Sequence, residues 1–269
     1  SLRPPKVIEL SKPKKILATA VVFLVSFLSV LPQITVTIQS FLKTNGPLFV
    51  KGFSLESYRL VAGKLSQSIT NTFVYAFIAL ILIIILGLLG AYLIVRKKGT
   101  VSNLIDLMLM FPYVIPGAVL GICLTVSFNQ KPILLTGTMW IIILSFVIRK
   151  LPYTMRSSIG ILYQIDRSVE EASISLGVPN MKTFFKTTVP LMIPGVISGG
   201  ILSLISVMNT LSATLILYTG TTVTIPVAIF NCVNNDAYGQ AAALSTILTL
   251  ATVICLLVFN KVSGGKNVV

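Results

Sequence analysis

The stretch SVEEASISLGVPNMKTFFKTTVP, Ser168–Pro190, decides how this chain is organised. It lies between two long apolar runs yet holds two of the chain's seven acids, Glu170 and Glu171, and two lysines, Lys182 and Lys186. Ser168 and Glu171 have the S-x-x-E spacing of a capping box, which predicts a helix starting at Val169. Asp166 and Glu170 add negative charge where the helix dipole favours it. Val169, Ala172, Ser173 and Leu176 share one face at helical spacing. Gly177 is placed to be the left-handed residue just past the helix end, and Pro179 blocks continuation. A second helical piece carries Lys182 and Lys186 one turn apart beside Phe184 and Phe185, and Pro190 stands where the next apolar run begins. The first helix is two turns long, about 12 Å, too short to be stable alone in water. Something must hold it: either its own bundle, as an interfacial helix, or a groove on a partner to which Glu170 and Glu171 are available. The amphipathic pattern allows both.

The surroundings of this stretch are oil. Of 269 residues 55% are hydrophobic and 10% charged, and the mean hydropathy is +0.94. A soluble domain is nearer a quarter charged. The apolar runs are long enough for helices that cross a hydrocarbon core and lack the alternation of barrel strands, so the chain reads as an all-α membrane protein. The net charge of +14 fits basic residues at membrane ends better than nucleic-acid binding, and no nucleic-acid partner is expected. There is no histidine, and the three cysteines, Cys123, Cys232 and Cys255, form no CxxC pair, which argues against a metal site or histidine-based catalysis.

Six spans are expected, over residues 16–38, 68–95, 104–128, 133–148, 191–218 and 240–260. Residues 1–15 form a polar tail or linker, 151–190 a polar region between spans four and five, 219–238 a loop, and 261–269 a tail. An even number of spans puts both ends on one side. The segments on that side (1–15, 96–98, 149–190 and 261–269) hold sixteen lysines and arginines, against five on the other. The positive-inside rule places that side, with both termini, in the cytoplasm.

Leu151-Pro-Tyr-Thr-Met-Arg156, Ile165-Asp166, Glu170-Glu-Ala-Ser-Ile-Ser-Leu-Gly177 and Val189-Pro190 together resemble the cytoplasmic signature of ABC-importer permeases, which reads E-A-A, three residues, G, nine residues, then I-x-L-P. Glu171, Ala172, Ser173, Gly177 and Pro190 fit its spacing; Ser173, Thr187 and Val189 depart from it in residue type. The resemblance covers residues 60–260 and implies a type I, MetI-like permease subunit with both termini cytoplasmic, multi-pass in a prokaryotic inner membrane. It implies that the short helix docks on a cytoplasmic ATPase dimer, with Glu170 and Glu171 at the polar contact, Ala172 and Ser173 permitting close approach, and Gly177 at the turn. It further implies a second permease half and an external solute-binding protein.

No P-loop is present: Gly63-Lys64 is followed by leucine and Gly265-Lys266 by asparagine. ATP and Mg²⁺ therefore belong to the partner, this chain needs no cofactor of its own, and it is not expected to be an enzyme. Seven acids, none paired at depth, also argue against an intramembrane enzyme and against an ion-coupled secondary transporter. Asp106 reads as an interfacial acid near Arg96–Lys98. Asn209, Thr210 and Ser212, midway along span five, are candidate pathway-lining residues, although small hydroxyls in membranes more often join helices. Ser212–Tyr218, Thr224–Phe230 and Tyr238–Ser245 are similar to ferric-iron permeases, whose relatives move polyamines, phosphonates and thiamine. Ferric iron is the expected cargo. Ser1-Leu-Arg-Pro-Pro fits the linker before the second half of a fused permease, or a start that has lost its methionine.

Overall fold

The computed structural model of the chain describes residues 11–97 and 99–262. Most of the expected tails, and Lys98, lie outside the described residues. The elements run α1 (Lys12–Ser40), β1 (Leu42–Asn45), β2 (Leu48–Phe53), α2 (Glu56–Lys64), α3 (Ser66–Arg96), α4 (Thr100–Val114), α5 (Gly117–Ser127), α6 (Met139–Gln164), α7 (Ser168–Ser175), α8 (Asn180–Thr183), a π-helical turn (Phe184–Thr188), α9 (Val189–Met208), α10 (Thr214–Leu217), α11 (Ile225–Asn234) and α12 (Tyr238–Val262). Four helical runs are long and apolar enough to cross a membrane: Lys12–Ser40, Ser66–Arg96, Asn180–Met208 and Tyr238–Lys261. The pair α4 and α5 forms a fifth crossing if counted as one bent span.

Helix α3 is the axis of the bundle. Its Ala79 and Ile83 meet Ile142, Ile143 and Phe146 of α6 and Ala243 and Leu244 of α12 in the main core. Towards its Arg96 end a second cluster joins Ala91 and Val95 to Met155 and Leu162 of α6 and Met192 and Val196 of α9. Gly87 and Gly90 of α3 lie against Thr154 and Met155 of α6, and Arg96 reaches the carbonyl of Ile165, so α3 and α6 run parallel. Helix α9 returns antiparallel to both. Ser203 Oγ donates to the carbonyl of Lys150 at 3.0 Å, which spends its single proton, so in its 2.9 Å contact with Thr154 Oγ1 the threonine is the donor. Helix α1 packs along α12 and buries only Ser40. Its otherwise exposed apolar sides are those of a helix made for lipid.

At the opposite end from Arg96, β1 and β2 form a small antiparallel hairpin in an otherwise helical molecule. The region expected as a loop, 219–238, contains α11 and is pinned to α3. Asn71 Nδ2 donates to the carbonyls of Thr221 and Val223, both at 2.9 Å, and the backbone N–H of Ile225 donates to Thr72 Oγ1 at 2.7 Å.

Three expected spans are redrawn. Span three, 104–128, is not one helix: it breaks at Ile115-Pro116, and α4 and α5 meet at 109°. Pro112 is carried inside α4, whereas Pro116 takes the extended backbone that a helix cannot continue through. Span four does not stop at Arg149–Lys150. Helix α6 continues to Gln164, because Leu151, Met155, Ser158, Ile159 and Leu162 keep a buried face at helical spacing. Span five, expected over 191–218, is continuous only to Met208; Asn209 leaves the helical backbone and the chain resumes as the short α10.

Ser203→Ala removes its two bonds to α6 and leaves the one from Ser157 Oγ to the Gly195 carbonyl. It is expected to cost about 1 kcal/mol, measured by unfolding in mixed micelles; an unchanged stability would mean that these hydroxyls do not join the helices.

Candidate functional site

Helix α7 is held by a charge rather than by apolar burial. Arg96 Nε donates to Glu170 Oε1 at 3.0 Å, with the two side chains only 12% and 8% exposed. The same guanidinium donates through Nη2 to the carbonyl of Ile165 at 3.1 Å, which closes off the end of α6. Glu170 is therefore turned into the bundle and is not presented outward for a partner. Glu171, one residue on and about 100° around the helix, is exposed and pairs with Arg167 at 3.2 Å.

The helix start differs from the capping-box expectation. Ser168 is the first helical residue, and the cap comes from Asp166, whose Oδ1 accepts the backbone N–H of Ser168 at 2.8 Å. That bond, with the Ser168 hydroxyl, holds the Asp166 carboxyl below its ordinary pKa. The cap is thus complete at neutral pH and is lost only as acid protonates the carboxylate through that lowered value. The helix end is as expected. Gly177 has φ +83°, its N–H donates to Ile174, and Val178 donates to Ser173, the paired bonds of a Schellman ending. Ser173 Oγ then meets Thr183 Oγ1 at 3.0 Å and ties α7 to α8. Phe184 stacks edge-on against Tyr92 of α3, with ring centres 4.7 Å apart. Pro190 sits at the second position of α9, and the π-helical turn just before it lets helix run on from Asn180 into α9.

The outcome is an inverted amphipathic helix. The face expected to seek cover is exposed: Ala172 is open, Leu176 is 85% exposed, and Met181 and Phe185 just beyond are 68% and 58% exposed. Large apolar groups left exposed along α7 and the segment after it mark an interaction site.

A second polar constellation lies on the side of the bundle, partway along α6. Asn209, Thr210 and Ser212 occupy the break after α9, and with Arg149, Lys150 and Tyr153 of α6 they line a cavity of about 630 Å³. Asn209 is exposed and Thr210 buried. Arg149 Nη1 donates to Ser212 Oγ at 3.2 Å, and Lys150 Nζ stands 5.8 Å from the centre of the Tyr153 ring. The other break comes to the same place: Gly117, the first residue of α5, sits so close to Ser212 and Arg149 that any side chain there would overlap both. Counting five residues back from the Gly87–Thr154 contact on each parallel helix sets Arg149 level with Leu82, the middle of the 31-residue α3. Sequence reading missed these two cations by treating them as a membrane end. The signal was there: Met139–Ile148 spans about 15 Å, half a hydrocarbon core. Asp106 pairs with Arg156 at 3.0 Å rather than serving Arg96–Lys98.

Arg96→Ala and Glu170→Ala are each expected to loosen α7 by about 2–3 kcal/mol, since each leaves a buried charge unpaired. This is read as roughly 30- to 150-fold faster amide exchange across Ser168–Ser175. The double variant should exchange more slowly than the sum of the two predicts; simple additivity would mean that the pair does not anchor the helix.

Comparison with known proteins agrees with this architecture. The chain is 36% identical over 220 residues to a ferric transport system permease protein of Actinobacillus pleuropneumoniae, covering 80% of this chain and 32% of that one. It therefore spans about a third of that relative's length. It is 25% identical over 246 residues to a protein of Salmonella paratyphi A named as a 2-aminoethylphosphonate transport system permease, covering 91% and 92% of the two chains. Its fold matches a chain of a bacterial ABC transporter that imports the acidic polysaccharide alginate, with a TM-score of 0.74, 14% identity, and 94% and 96% of the chains covered. Residues 83–264 match the family of binding-protein-dependent transport system inner membrane components, a range that contains α7, its anchor Arg96 and both helix breaks. This chain belongs to that family of multi-pass inner-membrane transport components, and it has the fold of ABC-importer permeases.

Proposed function

We propose that the chain is one permease half of an ATP-driven importer, working with a second permease half, a cytoplasmic ABC ATPase dimer that binds ATP and Mg²⁺, and an external solute-binding protein. The observation that carries this is the projecting apolar face of α7 and α8, fixed from behind by Arg96–Glu170. The basic pole of the bundle is the cytoplasmic one by the positive-inside rule. Six crossings then follow: α1, α3, the bent α4–α5, α6, α9 with the segment after it, and α12, with both termini cytoplasmic.

Closure of the ATPase dimer moves the groove in which Leu176, Met181 and Phe185 sit. Glu171 exchanges its solvent-exposed bond with Arg167 for a cation of the ATPase, a contact strengthened by desolvation. Glu170 carries the displacement to α3 through Arg96, and the unbroken helix from Asn180 carries it along α9. The chain itself performs no covalent chemistry. Family membership favours this reading over an ion-coupled secondary transporter.

Ferric iron is the proposed cargo, supported by the 36% identity to a ferric permease component. The 2-aminoethylphosphonate relative, matched along nearly its whole length, makes phosphonate the second reading. Polyamine and thiamine rest on sequence likeness alone.

Glu171→Lys tests the docking. The variant should extract from membranes at the normal level, because Glu171 supports no buried contact. It should hold the ATPase roughly a hundredfold more weakly, since a paired charge becomes a repelling one, and substrate uptake should be lost. Normal uptake by this variant would remove the docking role.

A further inference from the structure

The polar cleft at mid-bundle has no part in docking. We propose that it is a transit site for cargo bearing an oxyanion group, a phosphate, phosphonate or chelating carboxylate, and that Arg149 and Lys150 are its charge-selecting residues. The proposal rests on the permease reading for there being a pathway at all.

Depth is the first argument. Arg149 and Lys150 lie level with the centre of α3, so their charges cannot reach either membrane surface along α6. Ionised groups at such depth face water or protein, not lipid. Among the described residues neither has a carboxylate partner: Arg149 bonds the Ser212 hydroxyl and Lys150 stands beside the Tyr153 ring. Two cations are thus half-buried at the wall of an open cavity of about 630 Å³. That is room for a tetrahedral oxyanion with part of its water.

The lining is the second argument. Besides the two cations, Ser206, Asn209 and Thr210 line the cavity; the Thr210 hydroxyl hydrogen is held by the Ser206 carbonyl and the Asn209 amide by the Ile205 carbonyl and Thr252 Oγ1, which leaves the Ser206 hydroxyl as the neutral partner for an oxyanion that sheds water. No carboxylate lines it.

Convergence of broken helices is the third. The 11-residue α5 begins at Gly117 against Arg149 and Ser212, and α9 ends at Met208 beside Asn209. In transporters with helices broken at mid-depth, helix starts face anions and helix ends face cations, so of these two breaks the α5 start is the one that favours an oxyanion. The charge pattern also acts as a filter. A bare trivalent cation would be repelled by both side chains, so iron passes here only as a complex whose oxyanion faces them.

The test uses the complete transporter in membrane vesicles, with Cys123, Cys232 and Cys255 replaced by serine and Leu202→Cys introduced. Leu202 is on the cleft wall, 53% exposed. After correction for reaction with a free thiol, the new cysteine should react about tenfold faster with a sulfonate-bearing methanethiosulfonate than with its trimethylammonium analogue, the enrichment expected of a cationic cleft. Arg149→Gln with Lys150→Gln should abolish that preference, and Arg149→Lys should keep it. Inorganic phosphate slowing the labelling identifies a free oxyanion as the transit group. Slowing by ferric citrate, but not by citrate or phosphate alone, identifies a metal–oxyanion complex. No reaction with either reagent, equal rates with both, or protection by none of these anions overturns the proposal. Labelling needs no ATP, so a transporter that fails the Glu171→Lys test can still pass this one, and the two readings fail separately.

Discussion

One bond orders the working end of this molecule: the buried contact between Arg96 and Glu170. A two-turn helix has too few internal bonds to persist in water, and α7 offers its bundle almost no apolar surface. The ion pair substitutes for that missing burial. It is worth having here because the guanidinium bonds twice, to the carbonyl of Ile165 at the end of α6 as well as to the carboxylate. A single arginine at the end of α3 thereby fixes where α6 ends, how α7 is turned, and which of its faces is left outward. Apolar anchoring would have hidden the surface that a partner needs. Charge anchoring leaves it bare.

Much of this was legible in the chain, and each part that was not has its own cause. The apolar runs, the two-turn length of α7, its glycine ending and the proline at the start of α9 are local properties, decided within a few residues. Which of Glu170 and Glu171 points inward is not. Neighbours on a helix differ by about 100°, and the choice is made by Arg96, far away in sequence. The capping of α7 differs from expectation for a smaller reason: Asp166 takes the backbone N–H of Ser168 and the helix starts one residue earlier, so the N–H groups of Glu170 and Glu171 bond the Arg167 carbonyl rather than the Ser168 hydroxyl. The misreading of Arg149–Lys150 has the opposite origin. The rule that cations mark membrane ends is sound on average, and it conceals the rare pair that a protein keeps at depth.

The two breaks in the bundle repeat the same lesson. Pro112 and Pro116 look alike in sequence, yet only the second ends a helix. The difference is what stands next to it: Gly117 admits Ser212 and Arg149 to within contact, so the chain can turn there without leaving a void. Asn209, at the other break, returns its amide to the carbonyl of Ile205 and so caps the helix it terminates. Irregular backbone at this depth survives because side chains of the segment itself, Asn209, Thr210 and Thr214, bond its carbonyls.

The π-helical turn at Phe184–Thr188 has a mechanical consequence. By absorbing an extra residue without interrupting the helix, it welds α8 to α9 as one run from Asn180 to Met208, 29 residues and about 44 Å long. One tip of this rod carries Met181 at the projecting surface; the other stops at Asn209, on the wall of the polar cleft. A push on the first tip is passed towards the second along one continuous run, in which the π-helical turn and Pro194 are the places that can bend.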